Sequence, residues 1–111
     1  MDYISIDDFK KVQIKVGEIV SAEKIPDTDK LLKLSVKFGE ETRQIVSGIS
    51  TYFPDPSALV GVKCAFAYNL EPRVIRGHES QGMIMAATDE ASGTFSLLRA
   101  DDSLPSGSSV R

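Results

Sequence analysis

Apolar residues recur at every second position in several short stretches of this chain, and almost nowhere at the three-and-four spacing of an amphipathic helix. Leu32, Leu34, Val36 and Phe38 alternate with Lys33, Ser35 and Lys37, which predicts a strand buried on one face with lysines on the other. An earlier run places Val12, Ile14 and Val16 on one face and breaks parity at Gly17, the next apolar residue being Ile19. That pattern predicts one long strand over 12–25, bulged at Gly17 and bent so that it serves two parts of a closed sheet. Residues 26–29 read as a turn, and 39–42 as a hairpin connection into a third strand over 43–47. A long connection, 49–61, carries Tyr52, Phe53, Pro54, Asp55 and Pro56 and predicts one helical turn at 57–60. Strands over 62–68 and 82–88 follow, then a turn at 90–93, a further strand at 94–98 and a tail rich in Ser, Gly and Pro.

Residues 1–11 read as a lead-in, its aspartates suited to capping a helical turn at 9–11, and 12–111 as one domain. Short strands at regular spacing indicate an all-β barrel or sandwich. A five-stranded Greek-key oligonucleotide-binding barrel (OB-fold), with a short C-terminal β extension, fits the strand count and the position of the long third connection. Such barrels hold many ligands, so function must be argued from the site.

A chain of 111 residues allows a modest core but no separate substrate lobe. Hydrophobic content of 41% and charged content of 26% are those of an ordinary folded domain rather than a disordered one. The formal net charge of -3 argues against a protein wrapped in nucleic acid but leaves room for a local basic face. Charge is in fact segregated: residues 10–33 hold six lysines against four acids, and 63–76 hold three basic residues against Glu71 alone. Cys64 is the only cysteine, so no intramolecular disulfide forms, and its place in the 62–68 alternation predicts a small buried hydrophobe. No apolar run reaches membrane-spanning length and the N-terminus is too acidic for a signal peptide, which predicts a cytoplasmic location and no membrane partner.

Catalysis finds little support. The chain lacks a Gly-rich phosphate loop, a GxSxG elbow and HExxH, and one histidine rules out a His-based metal site; no catalytic residue, metal or cofactor is expected. His78, Glu79 and Ser80 are adjacent in a predicted loop and so are poorly placed to face one another as base and nucleophile. Asp27 and Asp29 read as a solvated turn. The stretch 68–87, YNLEPRVIRGHESQGMIMAA, passes from an apolar alternation through a polar segment and back, outlining two strands joined by an exposed basic loop. Asn69, Arg73, Arg76, His78, Ser80 and Gln81 suit a surface that grips phosphates and exposed base edges, and Lys30 and Lys33 extend the same charge. The bland alternative is a pair of solvated arginines. Tyr3, Tyr52, Phe53 and Tyr68 are candidate stacking platforms.

NLEPRVIRGHESQGM resembles the signature loop of the tRNA-binding domain found at the C-terminus of many methionyl-tRNA synthetases and in free-standing tRNA-binding proteins. PDTDKLLKL and RQIVSGI resemble two further segments of that family. The resemblance implies a non-catalytic, largely sequence-independent tRNA-binding module that raises the affinity of a synthetase catalytic domain or subunit for tRNA by tethering. It also implies a homodimer joined through the chain ends. Carried over by position, Asp29, Lys30 and Leu31 frame the first loop, Ser47 and Gly48 close the third strand near the binding face, and Asn69, Pro72, Arg73, Arg76, Gly77, Ser80, Gly82 and Met83 fall on the signature loop. Ser80 and Met83 correspond to positions of tRNA contact; on periodicity alone Met83 also reads as core. Val74 and His78 depart from the usual residues and leave the loop less basic, which predicts few phosphate contacts and a shallow salt dependence. A related secretion-chaperone family shares the barrel but lacks the D-K-L and S-Q-G-M segments present here, and a protein-docking scaffold that does not touch RNA is the other alternative.

Overall fold

The computed structural model describes all 111 residues. After a four-residue helix α1 (Ile6–Phe9), strands β1 (Ile14–Lys24), β2 (Leu32–Phe38) and β3 (Glu41–Ser47) form an antiparallel meander. Two 3-10 turns, Ser50–Tyr52 and Pro56–Leu59, lead into β4 (Lys63–Ala67), which pairs with the opposite edge of β1. Then come β5 (Arg73–Ile75), β6 (His78–Ser80), β7 (Met83–Ile84), β8 (Ala86–Asp89), β9 (Thr94–Leu97) and β10 (Ser109–Val110). The main sheet runs β3-β2-β1-β4-β7 and curls into the expected OB-like barrel.

Alternation became burial. Leu32, Leu34, Val36 and Phe38 all point inward, joined by Ile19, Ile45, Cys64 and Phe66, and Leu59 from the second 3-10 turn fills the barrel with no exposed surface. Burial pushes the Cys64 thiol up to about 11, so it is the inert hydrophobe its position predicts.

β1 does serve two partners on one edge: Ile14 and Lys15 pair with β10, whereas Glu18 to Lys24 pair with β2. The bulge lies elsewhere than expected. Register shifts between Ile19 and Ser21, not at Gly17. Gly17 is a matter of space instead, because a Cβ there would sit 2.5 Å from Val36 Cγ1 and 2.9 Å from Phe66 Cδ1. The lead-in helix also begins earlier than predicted, and Ser5 rather than an aspartate caps it, accepting from the Asp8 amide at 3.0 Å.

The predicted fifth strand is split. β7 pairs with β4 through Phe66 and Ala67, after which the chain leaves, and β8 pairs only with β9. The vacated edge of β4 is taken over downstream: Ala65 N–H donates to Leu98 O and Ala100 N–H to Lys63 O, both at 2.9 Å. The β8–β9 hairpin thus leaves the main sheet after Met85 and returns Phe95 and buried Leu97 to the core.

Candidate nucleic-acid interface

The segment expected to be a loop is a hairpin. β5 and β6 pair Arg73 with Ser80, Val74 with Glu79 and Ile75 with His78, closed by Arg76 and Gly77. Both closing residues have positive φ, 52° and 83°, the two-residue turn whose twist matches that of paired strands. Glycine adopts this conformation freely, but arginine in it is an uncommon, mildly strained choice. Strain of this kind concentrates where a side chain has to be presented.

Three-residue arms cannot hold a hairpin in water unaided. Here side chains fasten it to the barrel. Ser80, 4% exposed, accepts from the Val46 amide at 2.9 Å and donates to the Gly82 carbonyl at 2.9 Å. Gln81 accepts from the Gln44 amide through Oε1 at 3.0 Å, while its own N–H donates to Gln44 O at 2.8 Å and Gln44 Nε2 reaches Glu79 O at 2.9 Å. These contacts close the barrel between β3 and the chain entering β7. Gly82 lets the chain through: its φ is 138°, and a Cβ would lie 2.9 Å from the Ala67 carbonyl oxygen.

Several of the expected contact residues have partners within the chain. The Ser80 hydroxyl has made its hydrogen bonds out of solvent, and half-buried Gln81 accepts one from the same strand. Asn69 is likewise occupied: its Oδ1 accepts from Gln13 N–H at 2.8 Å and its Nδ2 donates to Lys11 O at 2.7 Å, stitching the lead-in to the barrel. Lys33 is ion-paired with Glu23 at 2.9 Å, on the outer side of β1 and β2. Ser47, half-buried, ends β3 opposite Leu32.

Lys30, Arg73 and Arg76 remain exposed and make no ion pair. Lys30 and Arg76 share the rim of a concavity of about 390 Å³ with Thr28, Asp29, Leu31 and Ile75, so the first loop and the hairpin tip meet. Arg73 and Met83 flank a smaller hollow above Val46 and Ser80, with Met83 half exposed rather than in the core. Two cations on one rim and a third beside an exposed thioether make a small surface suited to phosphates and an adjoining apolar sugar or base face.

Sequence reasoning missed Arg43. Its Nη1 donates to the carbonyls of Tyr68 at 2.7 Å and Gln81 at 3.2 Å, and its guanidinium stacks 3.6 Å from the Tyr68 ring centroid. The Tyr68 hydroxyl donates to Glu41, which also pairs with Arg43 Nε at 3.1 Å. That hydroxyl, then Arg43, holds the Glu41 carboxyl below its ordinary value, and the same bond raises Tyr68. The cluster fixes both ends of the segment carrying the hairpin. Tyr68, already covered by cations, is thereby removed from the stacking candidates.

Residues 14–109 match the family described as "Putative tRNA binding domain". The chain is 51% identical over 110 residues to the methionine–tRNA ligase of Caldanaerobacter subterraneus subsp. tengcongensis, covering 99% of this chain and 17% of that one. It is 48% identical over 111 residues to that of Methanocaldococcus jannaschii, again 17% of the relative's length. The crystal structure of a MetRS related protein from Pyrococcus horikoshii superposes with a TM-score of 0.93 at 43% identity, covering 100% of both chains. The chaperone CsaA from Bacillus anthracis shares the fold, with a TM-score of 0.86 at 24% identity over 99% of this chain and 100% of that one.

Proposed function

We propose, from the premise that this chain belongs to the tRNA-binding domain family shared with methionine–tRNA ligases, that it binds folded tRNA through the hairpin tip and raises the tRNA affinity of a synthetase catalytic unit by tethering. The domain is an accessory module: the region shared with the ligases amounts to 16–17% of their length. The observation that carries the reading is the meeting of unpaired Lys30 and Arg76 on one rim, with Arg76 held in a strained turn.

So few cations set the character of binding. Each neutralised phosphate contributes roughly 0.7–0.9 to the slope of log K against log salt, so Lys30, Arg73 and Arg76 together give about -2 to -3. Phosphate contacts carry no base identity, which fits recognition of tRNA shape over sequence. Arg76→Ala is expected to weaken binding of bulk folded tRNA and to reduce the slope by about 1. An unchanged affinity and slope would remove the hairpin tip from the interface and favour protein docking without RNA.

The proposal includes a homodimer through the chain ends. A groove of about 540 Å³ runs between α1 and β10, lined by Ile6, Phe9, Val12, Ile14 and Val110 among others, and a second copy is its expected occupant. Sedimentation that reports a monomer at micromolar concentration would count against this part alone. A cytoplasmic site of action is part of the same proposal and follows from the family assignment.

A further inference from the structure

Tyr52 is 46% exposed although its ring has a partner: it lies parallel to Phe95, centroids 3.9 Å apart and planes within 7°. Phe53 braces Phe95 from the side at 6.1 Å, with planes at 76°. One face of Tyr52 is therefore backed by a rigid aromatic stack while part of the ring stays open to solvent. The pair borders a concavity of about 250 Å³ completed by Phe53, Ser96, Leu97 and Arg99. Arg99 is anchored, since its main chain bridges to Cys64 and its neighbours Leu98 and Ala100 hydrogen-bond to β4. Its side chain makes no ion pair.

The location gives this patch its meaning. Ser50 N–H donates to Lys30 O at 2.9 Å, so the 3-10 turn ending in Tyr52 is hydrogen-bonded to the loop that carries the cationic rim. The other candidate aromatics are spent or distant: Tyr68 is covered by Arg43, Phe53 packs on the core, and Tyr3 stands in the lead-in. We propose that Tyr52 is a stacking platform for one unpaired base of the bound RNA, with Arg99 taking an adjoining phosphate. This rests on the tRNA-binding reading above and extends its surface beyond the hairpin. Stacking tolerates any base, because every base has a π-face, so the platform adds affinity without demanding a sequence.

The test uses a folded tRNA transcript together with a short single-stranded RNA carrying 2-aminopurine, whose fluorescence falls when the base stacks. Binding to the intact chain and to Tyr52→Phe should quench the probe; Tyr52→Leu, which keeps apolar cover over Phe95, should not. Tyr52→Leu should weaken tRNA binding roughly five- to one-hundred-fold, leaving the salt slope unchanged, whereas Arg99→Gln should reduce the slope by about 1. If tRNA binding responds to Arg76→Ala but not to Tyr52→Leu, and the probe is not quenched, the platform is refuted while the hairpin reading stands. If the intact chain binds no tRNA at low salt, both fall together.

Discussion

The Ser80 hydroxyl takes a hydrogen bond from a β3 amide 34 residues away and returns one to Gly82. Ser80→Ala strands a buried N–H, so it should lower stability by about 1–3 kcal/mol, read as a shift in the urea midpoint. A hydroxyl that served only a ligand would leave the midpoint unmoved. Nothing local in the sequence separates these roles, because a serine in a polar stretch suits surface and seam equally and only the long-range pairing decides. Asn69 is the same case, occupied by main-chain groups of the lead-in. Arg73 and Arg76 were legible as exposed because an arginine in a short polar stretch punctuated by Pro72 and Gly77 has solvent as its default partner. Arg43 was not, since an arginine in an alternating strand gives no sign that its carbonyl partners come from another part of the chain.

Among elements, β2 and β4 were read correctly, whereas the 82–88 alternation was taken for one strand and the hairpin arms for a loop. β2 shows its burial in four successive apolar positions, whereas β5 and β6, with three residues each, are too brief for a period to register. Their turn residues did carry a signal, since Gly77 follows a residue forced into the same left-handed region. The bulge in β1 was misplaced because Gly17 breaks the alternation for reasons of space, while the register slips beyond Ile19. The link between β3 and the end of β4 has a pH signature. Glu41 is depressed in the folded chain, so its contribution is present above its ordinary value of 4.5 and lost as pH falls through the lower folded value. Tyr68 is raised, so its contribution holds below its ordinary value of 10.0 and is lost as pH rises through the higher folded one. Glu41→Gln should therefore flatten the acid limb of a urea-midpoint profile below pH 4.5. A limb as steep as that of the unmodified chain would show that this bond contributes nothing.

At the scale of the whole molecule, a net charge of -3 coexists with a cationic rim because Asp29 alone among the sixteen acids lines the concavity where Lys30 and Arg76 meet. Mean composition hides that arrangement; segregation along the sequence hinted at it, and the meeting of the first loop with the hairpin tip completes it. The barrel itself followed from strand count and spacing, but its manner of closure could not, since that depends on three side chains standing in for a ladder. Such a seam has a dynamic consequence. Strands β1 to β4 hold one another through continuous main-chain pairing, whereas β3 and the hairpin are joined by a few bonds from Ser80, Gln81 and Gln44. Opening there leaves the rest of the core intact, so the amides of Gln44 and Val46 should take up deuterium before those of β2. Bound RNA should slow that uptake, which makes the seam a built-in reporter: the place where the barrel breathes is the place that tells whether its surface is occupied.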